Sequence, residues 1–263
     1  MPVTRRTMYE AIGAVVWSNS VDICLEYLPD RPLRPSVECI WRTEPIVNTK
    51  FEIIPDGCVD ACFVLSQTNP RVLLFGTTTR TKTYELESGA IYFGVRFRPG
   101  KASLFIREKI SDLTDSCTEI PQFLGIEAGE LLDKKTTDER RIRLQLALSK
   151  TLSNTYTQTT ALLDHAISQI ESRSGDLRVR ETARACSVSE RQLERLFVQC
   201  VGITPKLYMR IRRFRAVLNC LEDPPSQSSP SLADVAATHG YVDQSDLVRD
   251  MQGFGLPEKL SDL

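Results

Sequence analysis

Residues 187–197, Ser-Val-Ser-Glu-Arg-Gln-Leu-Glu-Arg-Leu-Phe, constrain the fold of this chain more than any other stretch. Ser189 is a helix-capping residue, and Gln192, three positions later, is spaced to reach back and complete a capping box. Leu193, Leu196 and Phe197 then fall on one face at helical spacing, which turns Arg191, Gln192, Glu194 and Arg195 to the outside. Just upstream, Leu177, Val179, Ala183 and Cys186 outline a second short amphipathic helix, separated from the cap by Ser187 and Val188 alone. Two short helices with so tight a turn follow the helix-turn-helix plan, in which the second helix presents its outer residues to base edges in the major groove. Helical hairpins with exposed arginines and no nucleic-acid partner share part of this pattern.

The unit occurs twice. Ala183 pairs with Ala236 at an offset of 53, and Ser189, Leu193, Arg195 and Phe197 pair with Asp243, Leu247, Arg249 and Met251 at an offset of 54. In the second copy Ser231 with Asp234 opens the first helix, Gly240 supplies the turn, and Asp243 with Asp246 caps the second helix. Between the copies Thr204-Pro205 starts a long pattern in which Tyr208, Ile211, Phe214, Val217, Leu218 and Leu221 recur at three- and four-residue steps. Such a stiff spacer would hold two reading helices in successive major grooves, about 34 Å apart.

The two halves of this region differ in charge. Residues 176–220 carry ten Lys and Arg against four acids, a net of +6, whereas residues 221–263 carry two against eight, a net of −6. Non-specific affinity for DNA comes mainly from neutralising phosphates. The first unit and the spacer helix are therefore expected to supply most of it, with the second unit adding Arg249 and the amide end of its second helix.

Residues 179–257 resemble the AraC/XylS DNA-binding domain. The resemblance is carried by the 187–197 stretch, by Val-Gly-Ile-Thr-Pro-Lys-Leu-Tyr at 201–208, by Arg-Ile-Arg-Arg-Phe-Arg-Ala at 210–216, and by Leu-Ala-Asp-Val-Ala-Ala-Thr-His-Gly-Tyr-Val-Asp-Gln-Ser at 232–245. It implies a bacterial transcription regulator, usually an activator, with two helix-turn-helix units joined by one helix. It also implies Arg191, Glu194 and Arg195 as first-unit readers, to which the outward-facing set adds Gln192, and Gln244, Ser245, Val248 and Arg249 as second-unit candidates. The chain departs from the family pattern where Asp246 and Leu247 replace a histidine and an aromatic residue, where Met251 replaces a phenylalanine, and in its ending after Pro257.

At 263 residues the chain is long enough for two cores. Eight cysteines, at 24, 39, 58, 62, 117, 186, 200 and 220, show no paired spacing and read as reduced residues of a cytoplasmic protein. The apolar run at 11–17 is short and directly follows Glu10, which argues against an export signal. No segment approaches the ~20 apolar residues that span a bilayer. Only His165 and His239 are present, so neither a zinc site nor a nucleophile with its base is expected, and no glycine-rich phosphate loop occurs. The expectation is a protein that is not an enzyme, with no metal and no cofactor.

The first half has a different local grammar. Residues 36–42, 51–54, 59–65, 72–75 and 91–97 are short runs rich in β-branched and aromatic residues, bounded by turn signals such as Pro55-Asp56-Gly57 and Ser88-Gly89. They read as strands of a small β-barrel or sandwich, followed by a helix beginning near Lys101. The pattern Pro32-Leu33-Arg34, Trp41, Ile54 to Asp60 and Phe97-Arg98-Pro99-Gly100 resembles an N-terminal domain attached to many AraC-type regulators. Asp60, Arg96 and Arg98 are candidates to face an effector pocket, against the alternative that all three are solvated. Residues 114–135, with Pro121, Gly125 and Gly129, read as broken helices, and amphipathic helices follow at 139–152 and 161–170. The Pro-Pro-Ser-Gln-Ser-Ser-Pro insert at 224–230 lengthens the turn after the spacer.

These readings give an α+β chain: a β-rich regulatory domain over 1–135, a helical linker over 136–172, and an all-α DNA-binding domain over 173–263. Within the last, the units occupy 177–201 and 231–254 and the spacer 204–221. The expected partner is double-stranded DNA. RNA polymerase, a small-molecule effector and association as monomer or homodimer stay open, and no membrane is involved. Two rival readings are a DNA-repair protein with a methyl-accepting cysteine at Cys58 or Cys62, and a degenerate module with one working DNA-binding unit.

Overall fold

The computed structural model describes residues 3–4, 24–152, 158–222 and 231–256. The apolar run at 11–17, the 224–230 insert and the ending at 257–263 lie outside the described residues.

The first half builds two antiparallel sheets. Strands β1 (Val3–Thr4), β2 (Leu25–Tyr27), β3 (Val37–Thr43), β5 (Val59–Leu65), β6 (Arg71–Phe75), β8 (Ile91–Phe97) and β9 (Cys117–Ile120) form one sheet in the order β1-β2-β3-β8-β5-β6-β9. Strands β4 (Thr49–Ile53) and β7 (Lys82–Leu86) form a separate ribbon. The sheets do not close, so of the expected barrel or sandwich it is the arrangement of two layered sheets that is found. Every residue of β5 is buried, which requires cover on both faces of its sheet. Val59, Ala61, Phe63 and Leu65 join one apolar cluster, while Cys62 and Val64 join another that includes Phe51, Ile53 and Tyr84 of the ribbon. The alternation of a pleated strand thus sends successive residues into two different cores.

Two expectations are revised in detail. Residues 101–107 contain only a 3-10 turn, Ala102–Leu104, rather than the start of an α-helix. The segment read as broken helices contains β9, a Phe123–Ile126 bridge and one short helix, α1 (Ala128–Leu132). Two connecting helices follow, α2 (Thr137–Leu152) and α3 (Gln158–Glu171), and they serve different cores. Leu144, Ala147 and Leu148 of α2 pack against the large sheet, whereas Leu163, Ala166, Ile167 and Ile170 of α3 pack with the C-terminal helices. Ile142 and Leu146, on the opposite face of α2, are exposed.

The C-terminal part comprises α4 (Val179–Ala185), α5 (Glu190–Cys200), α6 (Pro205–Glu222), α7 (Leu232–Thr238) and α8 (Gln244–Gly253). One continuous apolar cluster runs through both pairs of short helices and the long helix between them. Tyr208, Ile211, Phe214, Val217 and Leu218 of α6 are all buried, as their spacing predicts. The halves of the molecule meet where Ile54 enters that cluster and where the turn at Gly57 lies against the Tyr208 ring. Gly57 has φ of +86°, and a Cβ there would stand 2.6 Å from a Tyr208 ring carbon, so both the turn and the close approach require glycine.

Candidate nucleic-acid interface

The first unit forms as its sequence dictates. Gln192 donates its amide to Ser189 Oγ at 3.2 Å, and the Ser189 amide donates to Gln192 Oε1 at 2.9 Å, which completes the capping box. The α4–α5 turn places Ser187 in the left-handed region, with φ of +56°. Leu193, Leu196 and Phe197 are buried, and Glu190, Arg191, Gln192, Glu194 and Arg195 are exposed together on the outer face. Among the described residues no acid pairs with Arg191 or Arg195. These are the residues at the N-terminal end of α5, the end that a recognition helix offers to bases.

The second unit repeats the backbone with other chemistry. Ser231 and Asp243 cap α7 and α8 by accepting the amides of Asp234 at 3.2 Å and Asp246 at 2.7 Å. Gly240, with φ of +72°, takes the place that Ser187 holds in the first unit. Leu247 and Met251 are buried, so two departures from the family pattern serve as core residues. Gln244, Ser245 and Arg249 are exposed and Val248 is half-buried. Arg249, however, pairs with Asp246 at 3.4 Å, and Asp246 also accepts the Val242 amide at 3.4 Å. His239, beside the turn, is half-buried, and desolvation pushes its imidazole below the usual histidine range.

Part of the spacer helix's charge is taken up inside the fold. Arg210 of α6 pairs with Asp250 of α8 at 2.5 Å and lies over the Phe254 ring. Arg213 donates to the Gly240 carbonyl at 3.0 Å and covers the Tyr241 ring at 4.5 Å. Arg212 faces Glu171 at 3.7 Å. Arg210, Arg212 and Arg213 therefore fasten the second unit and α3 to the spacer. Arg180, Arg184, Arg191 and Arg195 of the first unit, with Lys206 in the first turn of α6, stay exposed with no ion-pair partner among the described residues, so the unpaired positive charge lies on the first unit and the start of the spacer. The signal that separates the two groups is pairing across 27 to 41 positions, which no local pattern carries.

In the first half, a cavity of about 140 Å³ lies between the ribbon and the large sheet, walled by Trp41, Phe51, Phe75, Tyr84 and Tyr92 among others. Asp60 is buried there rather than solvated. It accepts the Trp41 indole N–H at 2.8 Å and faces Arg96 Nε at 3.2 Å from both oxygens, across the β5–β8 register that pairs these two residues. Asp56 takes the other side of Arg96 at 3.1 Å. Burial pushes the Asp60 carboxyl up, and the neighbouring guanidinium opposes the shift. Arg98 lies outside this group, exposed and donating to the Arg34 carbonyl at 2.9 Å. Cys58 and Cys62 are buried, and desolvation pushes both thiols well up, Cys58 further so through Asp56 and Glu38. A thiol so held carries little thiolate, the form an alkyl-accepting cysteine needs.

Residues 25–119 match a family described as a domain of unknown function (DUF6597), and residues 182–254 match one described as a helix-turn-helix domain. No curated protein matches the chain. Among solved structures, ToxT from Vibrio cholerae O395 is similar at 10% identity and a TM-score of 0.41, over 81% of this chain and 91% of that one. An unsaturated fatty acid bound form of ToxT from Vibrio cholerae strain SCE256 is similar at 11% identity and a TM-score of 0.41, over 83% and 91%. At such scores the likeness carries no inference about ligand or mechanism. The chain thus carries an AraC-type helix-turn-helix domain in its C-terminal third, preceded by a domain of unknown function.

Proposed function

We propose that this protein is a sequence-specific, DNA-binding transcription regulator that reads bases mainly through Arg191, Gln192, Glu194 and Arg195. The observation that carries the reading is the asymmetry of α5 and α8. Both are capped helices on one core, but α5 offers two arginines with no ion pair among the described residues, whereas Arg249 of α8 shares its charge with Asp246. Guanidinium groups suit bidentate contact with guanine O6 and N7, each such contact being worth about 1–3 kcal/mol of discrimination. Gln244, Ser245 and Arg249 add a weaker second contact, with phosphate meeting the amide end of α8. The family resemblance adds activation as the expected sign of regulation.

Selection of bound fragments from sheared genomic DNA by the purified chain tests this reading. A recurrent site with protection over one strong and one weaker adjacent major groove is the expected result. Recovery of random fragments overturns sequence specificity. A second reading, favoured by the pairing of Arg249 with Asp246 and of Arg210 with Asp250, is a module in which only the first unit touches DNA; protection of a single groove identifies it.

The cavity supports a sensing role for the first half. Five aromatic side chains, Asp60 and Arg96 line it, and Arg215 of the spacer helix lines it too, so an occupant would touch the helix that joins the two units. A small-molecule effector bound there would raise the melting temperature by mass action and change operator affinity.

A further inference from the structure

The loop between β6 and β7 reaches the C-terminal ends of both recognition helices. Thr77, fully buried, donates its hydroxyl to the Val201 carbonyl just after α5 at 2.6 Å. Thr81 donates both its amide, at 2.8 Å, and its hydroxyl, at 2.9 Å, to the Phe254 carbonyl just after α8. Thr114 adds a third hydroxyl on the first unit, to the Gly202 carbonyl at 2.8 Å. The last carbonyls of a helix have no partner within it, so these donors satisfy groups that otherwise need water.

The loop itself is stiff. Asp115 accepts the Thr79 amide at 2.8 Å and the Thr79 hydroxyl at 2.6 Å, and its own amide donates to the Thr77 carbonyl at 2.9 Å. The Gly76 amide donates to the Ser116 carbonyl at 3.1 Å, tying the loop to the segment that bears Thr114. On the other side, α6 holds the second unit through Arg210 and Arg213. The first unit, α6, the second unit and the loop thus close a ring of contacts, and a ring resists hinging where a single connecting helix permits it. All four hydrogen bonds lie at the far ends of α5 and α8, away from the exposed residues at their N-terminal ends.

We infer that Thr77, Thr81 and Thr114 are positioning residues for DNA recognition: they fix the placement of the second reading helix relative to the first, and so set the spacing of the two half-sites that the protein accepts. This rests on the DNA-binding reading above. It assigns to the first half a role in site selection that is independent of any effector. A one-base-pair insertion between the half-sites moves the second by about 3.4 Å and turns it by roughly 35°. A rigid pair of readers cannot follow that change.

The test compares affinity for a selected operator with affinity for the same operator carrying one inserted base pair, at fixed salt. The wild-type chain is expected to lose about fivefold on the insertion. Thr77→Val with Thr114→Val, which keeps side-chain size and removes both hydroxyls, is expected to lose less than twofold. Thr77→Ser with Thr114→Ser restores the hydroxyls and is expected to behave as wild type. Affinity for a short duplex bearing only the first half-site should stay within twofold throughout, a result that general loss of structure would not give. If the valine pair fails to fold, Thr81→Val, at the other end of the loop, replaces it; because the Thr81 amide keeps its bond to the Phe254 carbonyl, a penalty between that of the wild type and that of the pair is expected. A valine variant with the full wild-type penalty, or a wild-type chain with no penalty, overturns the inference. A wild-type chain that selects no operator overturns the DNA-binding reading instead.

Discussion

Ser189 caps α5 and Asp243 caps α8 by the same kind of bond, and each helix sinks a leucine and a second large apolar residue into one shared core. Outside that core the units diverge. The first leaves Arg191 and Arg195 exposed with no ion pair among the described residues, while the second sets Asp246 against Arg249 and Asp250 against Arg210. The difference teaches that duplication of a fold unit copies its caps and its core, because those make the unit fold, but not its surface. A helix-turn-helix backbone alone therefore does not identify a base reader. The feature on which the proposed reading ranks the two units is the free charge on the outer face of the second helix.

The common skeleton is the easiest part to break. Phe197→Ala in the first unit and Leu247→Ala in the second are each expected to destabilise the protein by about 3–5 kcal/mol, since both side chains are fully buried. Denaturant titration checks this, and a loss below about 1 kcal/mol at Leu247 would mean that the second unit stands apart from the core. The turns come next. Gly240→Ala places a Cβ 2.7 Å from the Asp176 carboxylate at a backbone angle that L residues avoid, so a loss of about 1–2 kcal/mol is expected. The corresponding change in the first unit has the opposite sign. Ser187 already holds a left-handed conformation, and Ser187→Gly should stabilise by about 0.5–1 kcal/mol in the same titration.

The smallest effect sharpens the surface comparison. Asp246→Asn removes the carboxylate that faces Arg249 and should tighten operator binding about two- to threefold. The slope of log affinity against log salt should become steeper by about one. An unchanged slope would show that Arg249 makes no phosphate contact even when released.

Much of this was legible in the sequence because it is local. The capping box at Ser189 and Gln192, the buried stripe of α6, the turn at Gly240 and strands such as β5 and β8 are each written within a dozen residues. Other elements were not legible. Strand β7, Lys-Thr-Tyr-Glu-Leu, is largely solvent-facing and has only Tyr84 and Leu86 as apolar signals, and β9 is a four-residue edge strand beside Pro121. The Asp60–Arg96 pair depends on a strand register that brings together positions 36 apart. Arg210, Arg212 and Arg213 of α6 enter the sequence only as part of a net positive charge over 176–220, and the fold shows that Asp250, Glu171 and the Gly240 carbonyl take them up. The threonines of the β6–β7 loop carry no pattern beyond a polar stretch after Gly76; their meaning lies in two helix ends more than 120 residues away.

The account stands most directly on a single comparison: operator affinity of Arg195→Ala against Arg249→Ala, measured by gel-shift titration at one salt concentration. It predicts that Arg195→Ala costs about 1–3 kcal/mol and Arg249→Ala less than about 0.5 kcal/mol. Equal losses from the two variants would contradict it.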